Sequence, residues 1–161
     1  GASSFTTVTE IVNPGSGNPT AQWLFVESNA SGAYSWSMNT NGSSGGYAFV
    51  LEISGIDPSS VLDIPSDSDY GSTTAVTLAG SIANTKPNDL VLVAVSVAGT
   101  SNTITADSPT DWEQVGTTDI GGFQTMAVFM RKETGVETFS FAATLGSASG
   151  WVAQSLVVKG S

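Results

Sequence analysis

Short apolar segments recur along this chain at intervals of about 10–15 residues, and clusters of Gly, Ser, Asn, Pro and Asp separate them. The clearest segments alternate between apolar and polar residues, as in Tyr34–Met38 and Thr138–Phe141. Such alternation is the pattern of a strand with one buried face. No window shows the apolar spacing of an amphipathic helix over three turns. The chain is therefore predicted to be all-β.

We expect residues 1–161 to form a single antiparallel β-sandwich with jelly-roll-like or Ig-like connectivity, because no turn cluster resembles an interdomain linker. Leu90–Val95 is a continuous apolar run, which predicts a central strand covered on both faces. The side chains expected to be buried in the core are Trp36, Leu92, Val93, Phe139, Phe141, Trp151 and Leu156. The predicted strands are Phe5–Val12, Gln22–Glu27, Ala33–Met38, Tyr47–Ile53, Thr73–Leu78, Leu90–Val97, Thr103–Ala106, Trp112–Gly116, Thr125–Arg131, Glu137–Ala142 and Trp151–Val158.

A possible internal duplication relates residues 21–55 to residues 126–160 without gaps. Tyr34 and Trp36 then align with Phe139 and Phe141, and several Ser, Gly, Ala and Leu positions are identical. Any two β-meanders of one composition can align in this way, so both interpretations stay open.

The residue types needed for most catalytic chemistry are absent. Without His and Cys the chain has no Ser-His-Asp or Cys-His arrangement and no thiolate or imidazole zinc site. A glycosidase needs only two carboxylates, but each glutamate is explained as a solvated strand or turn charge. We therefore predict that the protein is not an enzyme and uses no cofactor. The glutamates are Glu10, Glu27, Glu52, Glu113, Glu133 and Glu137.

Charge is scarce on this chain and strongly acidic in balance. Charged residues make up 11% of the sequence, and 14 acidic against 4 basic residues give a net charge of −10. Binding to phosphate backbones or anionic lipid surfaces relies on clustered Lys and Arg, so neither nucleic acid nor membrane is an expected partner. A surface of Ser, Thr, Asn and Gly can instead be buried against protein without desolvating many ions.

Two segments could bind ligands. The acidic segment 63–71 offers oxygens that could hold calcium, although an EF-hand loop would need further ligands that it lacks; a solvated loop is the alternative. Trp112 follows a Pro-Thr-Asp turn at a strand start and is the tryptophan expected to be exposed and able to stack on a sugar. Trp23 is ambiguous between core and surface.

Three pieces between Gly55 and Ser161 carry a resemblance. They are Gly55–Pro58 leading to Leu62–Ile64, Asn88–Val95, and Ala127–Lys132 continuing through Phe139–Phe141 to Gly150–Ala153. This stretch resembles a β-sandwich module that recurs in bacteriophage virion proteins and in some secreted bacterial proteins. The resemblance implies a scaffolding or attachment role in an oligomer on a particle surface, and it transfers no functional residue.

The sequence thus predicts a non-enzymatic virion structural protein. Its most concrete form is a capsid decoration (cement) protein on the virion surface, binding coat subunits and itself as a homo-oligomer, possibly a trimer. The alternative is a carbohydrate-binding or adhesin-type module of a phage fibre or of an extracellular bacterial protein.

Overall fold

The fold is described here from a computed structural model, in which residues 6–12, 20–25, 48–57, 60–62, 67–78, 82–99, 101–120 and 124–161 are described. These ranges contain strands and no helix, and every strand pair is antiparallel. No apolar helix able to cross a membrane is found in them. The strands are β1 (Thr6–Val12), β2 (Thr20–Phe25), β3 (Ser68–Gly71), β4 (Ala75–Thr77), β5 (Ile82–Ala83), β6 (Leu90–Ala98), β7 (Ile104–Ala106), β8 (Glu113–Ile120), β9 (Gln124–Lys132), β10 (Thr138–Phe139), β11 (Ala142–Leu145) and β12 (Trp151–Val158).

One layer is a five-stranded sheet in the order β3-β12-β6-β9-β8. Strand β6 lies between β12 and β9 and is buried at every position from Val91 to Val97, as its continuous apolar run predicts. Side chains on one face of a strand recur every second residue. The odd-numbered valines of β6 therefore share one face of the sheet, and Leu92 lies on the other.

The second layer consists of a three-stranded sheet, β4-β11-β7, beside the short β10–β5 pair. Its inward side chains meet the odd-numbered face of β6 in one hydrophobic core. The chain passes repeatedly between the two layers. The first layer contains β3, β6, β8, β9 and β12, and the second contains β4, β5, β7, β10 and β11. Two antiparallel layers around one core are consistent with a β-sandwich.

The other face of the five-stranded sheet is covered as well. The β1–β2 hairpin contacts β12, β6 and β3. Near the end of β12, five apolar side chains of residues 51–56 and 61–62 pack against Leu92, Leu156 and Val158; they are Leu51, Ile53, Ile56, Val61 and Leu62. Two bridges, Ile56 to Gly160 and Leu62 to Val158, fix this segment to the sheet. Both faces of β6 are therefore buried.

The predicted core is confirmed wherever the structure describes it: Leu92, Val93, Phe139, Phe141, Leu156 and Trp151 are all buried. Trp36 and the predicted strand 33–38 lie outside the described residues. The prediction of a strand over 47–53 is wrong at 48–53, which form no strand. In the proposed repeat these residues correspond to 153–158 of β12, so the two copies differ here.

Candidate functional site

Trp112 lies in the core, so the expectation that it is exposed is wrong. The backbone N–H groups of Asp111 and Trp112 both donate to the carbonyl oxygen of Ser108, and this tight turn directs the indole inward. The ring meets Phe139 and Phe141 edge to face, at centroid distances of 5.9 and 5.1 Å. With 4% of Trp112 exposed, its indole offers no platform for a sugar.

Glu133 also departs from the expectation of a solvated charge, because it is 2% exposed. Its Oε1 lies 2.5 Å from Nε of Arg131, while Nη2 of Arg131 lies 3.3 Å from Oε2 of Glu137. The Arg131 guanidinium sits 4.9 Å from the centroid of Phe139, a cation–π geometry. Burial raises the pKa of Glu133 above its usual range, even though Arg131 acts to lower it.

This cluster is built for packing rather than for acid–base exchange with a bound substrate. The Arg131 guanidinium pairs with the carboxylates of Glu133 and Glu137 and packs against the Phe139 ring, so the positive charge of Arg131 is already compensated. A glycosidase pair needs two carboxylates that face a sugar from opposite sides. Glu133 faces the protein interior instead, since almost none of its surface reaches solvent.

Residues 67–71 of the acidic segment 63–71 are described, and the carboxylates of Asp67 and Asp69 bond to the backbone. Oδ1 of Asp67 accepts from the N–H of Ser68 at 2.9 Å, and Oδ1 of Asp69 accepts from the N–H of Tyr70 at 2.8 Å. These bonds cap the start of β3. Residues 63–66 lie outside the description, and the described residues contain no group of three acidic side chains arranged to hold a metal.

The outer face of the second layer is chemically uniform. Alternation sends Val76, Ile104 and Phe139 inward, where they are buried. Every outward position on these five short strands is Ala or Thr. We call this surface the Thr/Ala face; its residues are Ala75, Thr77, Ala83, Thr105, Thr138, Ala142 and Thr144.

Strand pairing assembles the Thr/Ala face from distant parts of the chain. Thr144 lies opposite both Ala75 and Thr105, and Ala142 lies opposite Thr77. At its rim the Thr144 hydroxyl bonds to Oδ1 of Asp107 at 2.8 Å. The sequence shows the polar positions of each strand, but only the pairing shows that they form one surface.

No family model, curated protein or solved structure matches this chain. The choice of a candidate site therefore depends on surface chemistry, and two surfaces stand out: the Thr/Ala face and the edge strand β8.

Strand β8 ends the five-stranded sheet and pairs with β9 along one side. Within the described part of the chain, no strand pairs with its other side. Gln114, Val115 and Thr117 are exposed, and so are the acidic residues near its two ends, Glu113 and Asp119. A row of backbone N–H and C=O groups at such an edge is a template for pairing with another strand.

Proposed function

We propose that this protein is a non-enzymatic structural protein that binds other protein subunits through the Thr/Ala face. In its most concrete form it is a capsid decoration protein that docks on coat subunits at the surface of a bacteriophage particle. The observation that carries the proposal is the composition of that face, where all seven outward positions are small and uncharged.

A surface of this kind suits docking against protein. The centres of protein interfaces are depleted in charged residues, because burying an ion without a partner is costly. Threonine and alanine lose little side-chain entropy when they are immobilised. None of the seven residues of the Thr/Ala face is charged. The acidic residues elsewhere on the chain give it a net charge of −10, which can keep free subunits soluble.

The strand order adds support at the level of the fold. Four neighbours in the first layer, β3-β12-β6-β9, and three in the second, β4-β11-β7, follow the order of a jelly roll, with β8 moved to the edge of the first layer. We propose this jelly-roll connectivity in preference to an Ig-like one. Viral capsid proteins and lectins both use jelly rolls, so the fold is compatible with the proposal and does not select it.

The experiment is to add purified protein to capsids assembled from the coat protein of the genome that encodes it, and to count bound copies by cryo-EM. We expect regular, symmetry-related occupancy. Ala75→Lys and Thr77→Lys should abolish it, because each brings a charge into a contact that is otherwise uncharged. Thr134→Lys is the control, since Thr134 is exposed on the bend between β9 and β10 and belongs to none of the strands that form this face.

The same preparation tests the alternative of a glycan-binding adhesin. Random or absent capsid occupancy, together with binding of the purified protein to an immobilised glycan array, would refute decoration and favour the adhesin. Sedimentation of the free protein tests the proposed homo-oligomer, for which a trimer is the expected form.

A further inference from the structure

Strand β8 is the longest edge strand in the described sheets, with eight residues against four in β3 and three each in β4 and β7. Soluble proteins usually protect such edges with short strands, lysines, prolines or bulges. Strand β8 contains no Lys or Pro, and its single irregularity lies between Gln114 and Gly116. Beyond that point, Gly116–Ile120 pairs regularly with β9. This half of the edge has no further irregularity, and Thr117 and Asp119 in it are exposed.

One face of the edge is already closed. The Phe49 ring lies so close to Gly116 that a Cβ at this position would overlap it. Outward from this contact, Thr117 and Asp119 are exposed. An added strand would pair with this edge in the plane of the sheet, where β8 has the Phe49 ring against one face and solvent on the other.

We propose that the free edge of β8 binds an extended segment of a partner protein by strand addition, and that this segment carries Lys or Arg at both ends of the paired stretch. Backbone hydrogen bonds would supply affinity in such a mode, and side chains beside the edge would supply selectivity. The selective groups here are Glu113 and Asp119, near the two ends of β8. The irregularity between Gln114 and Gly116 places them on opposite faces of the sheet, and Oδ2 of Asp119 also accepts from the N–H of Ser101 at 2.9 Å. Opposite charges directly across a strand pair are favourable, which defines the basic partner.

A second copy of the chain is a poor occupant of the same edge. Antiparallel pairing of two β8 strands would bring the exposed acids Glu113 and Asp119 of one copy close to those of the other, and β8 has no basic residue to face them. Like charges directly opposite each other are destabilising.

The test is an amide NMR titration of the whole protein with a short peptide of alternating valine and threonine that carries a lysine at each end. A peptide of the same core with glutamate at each end is the matched probe. We expect the lysine-ended peptide to shift the amides of β8 and β9, and to bind more tightly than the glutamate-ended peptide. Equal binding of the two peptides, shifts elsewhere, or no shifts at millimolar peptide would overturn the proposal.

A charge exchange tests the selectivity. Glu113→Lys should weaken binding of the lysine-ended peptide about twofold to fivefold and strengthen binding of the glutamate-ended peptide by a similar factor. Asp69→Lys makes the same charge change on β3, at the opposite edge of the sheet, and should alter neither affinity beyond a small uniform change.

Proline scanning tests the backbone contact. Successive N–H groups of a strand point in opposite directions, so one of Thr117→Pro and Thr118→Pro removes a bond to β9 and the other removes an outward donor. The variant that keeps the native melting temperature identifies the residue whose backbone N–H points away from β9, and that variant should no longer bind the peptide. If instead the free protein dimerises and this variant abolishes the dimer, self-pairing replaces the proposed partner. Since β8 and the Thr/Ala face lie in different sheets, capsid binding and peptide binding can fail independently.

Discussion

At the residue scale, Trp112 shows how local sequence misleads about exposure. A Pro-Thr-Asp turn before an aromatic suggests a loop side chain, but here the turn itself rotates the indole onto Phe139 and Phe141. We expect Trp112→Ala to destabilise the protein by about 3–5 kcal/mol, the range for a buried tryptophan. Urea unfolding followed by the fluorescence of the remaining tryptophans measures it. A loss within about 0.5 kcal/mol, as expected for a surface change, would contradict this placement.

Glu133 gives stability a pH dependence of definite sign. Its pKa in the folded state is raised, chiefly by burial. A group of this kind contributes stability below its unfolded pKa of about 4.3 and loses that contribution as pH rises through its folded pKa. The unfolding free energy of the wild type, relative to that of Glu133→Gln, should therefore be highest in acid and should fall as the pH rises toward neutral. Unfolding free energies of both proteins across that range test this; a constant difference, or the opposite trend, would contradict it.

At the scale of elements, Asp89 ties the end of β12 to the loop that precedes β6. This carboxylate is fully buried and accepts from the N–H of Lys86 at 3.0 Å and from the N–H of Gly160 at 3.1 Å. Asp89→Ala leaves both donors unpaired, so we expect a loss of about 2–4 kcal/mol in unfolding free energy. Asp107→Ala, at an exposed acid that bonds one surface hydroxyl, is the control and should cost less than about 0.5 kcal/mol. Equal losses in the two variants would refute the tie.

Long apolar or alternating runs were predictable from sequence, and short or bent elements were not. Residues 151–158 form a strand with the predicted bounds, and Leu90–Ala98 extends its prediction by one residue. The segment 137–142 instead breaks into β10 and β11, which pair with different strands. Residues 48–53 share the apolar pattern of a strand, yet Leu51 and Ile53 pack against the sheet without joining it. Burial alone satisfies such a pattern, so periodicity cannot tell these outcomes apart.

At the scale of the whole molecule, the basic residues are gathered at one end. Lys132 and Lys159 line one groove beside Leu90, and Arg131 precedes Lys132. Lys86 pairs with Asp57 at 3.1 Å in the loop that Asp89 ties to Gly160. Three acids pair with bases here: Asp57 with Lys86, and both Glu133 and Glu137 with Arg131. The chain as a whole has 14 acidic residues against these four bases, which gives the net charge of −10.

This excess of acidic over basic residues predicts that salt stabilises the protein. A net charge of −10 makes the compact state repel itself, and salt screens that repulsion over a Debye length of about 8 Å near 0.15 M. We expect the melting temperature to rise by a few degrees as sodium chloride increases from low concentration to about 0.15 M. Glu113→Lys replaces one negative charge with a positive one and changes the net charge from −10 to −8, so its salt response should be smaller. Thr134→Lys gives −9 at another exposed position and should respond to an intermediate degree, because both variants act through net charge. A melting temperature that falls with salt, or an identical response in all three proteins, would show that local ion pairs outweigh the repulsion across the molecule.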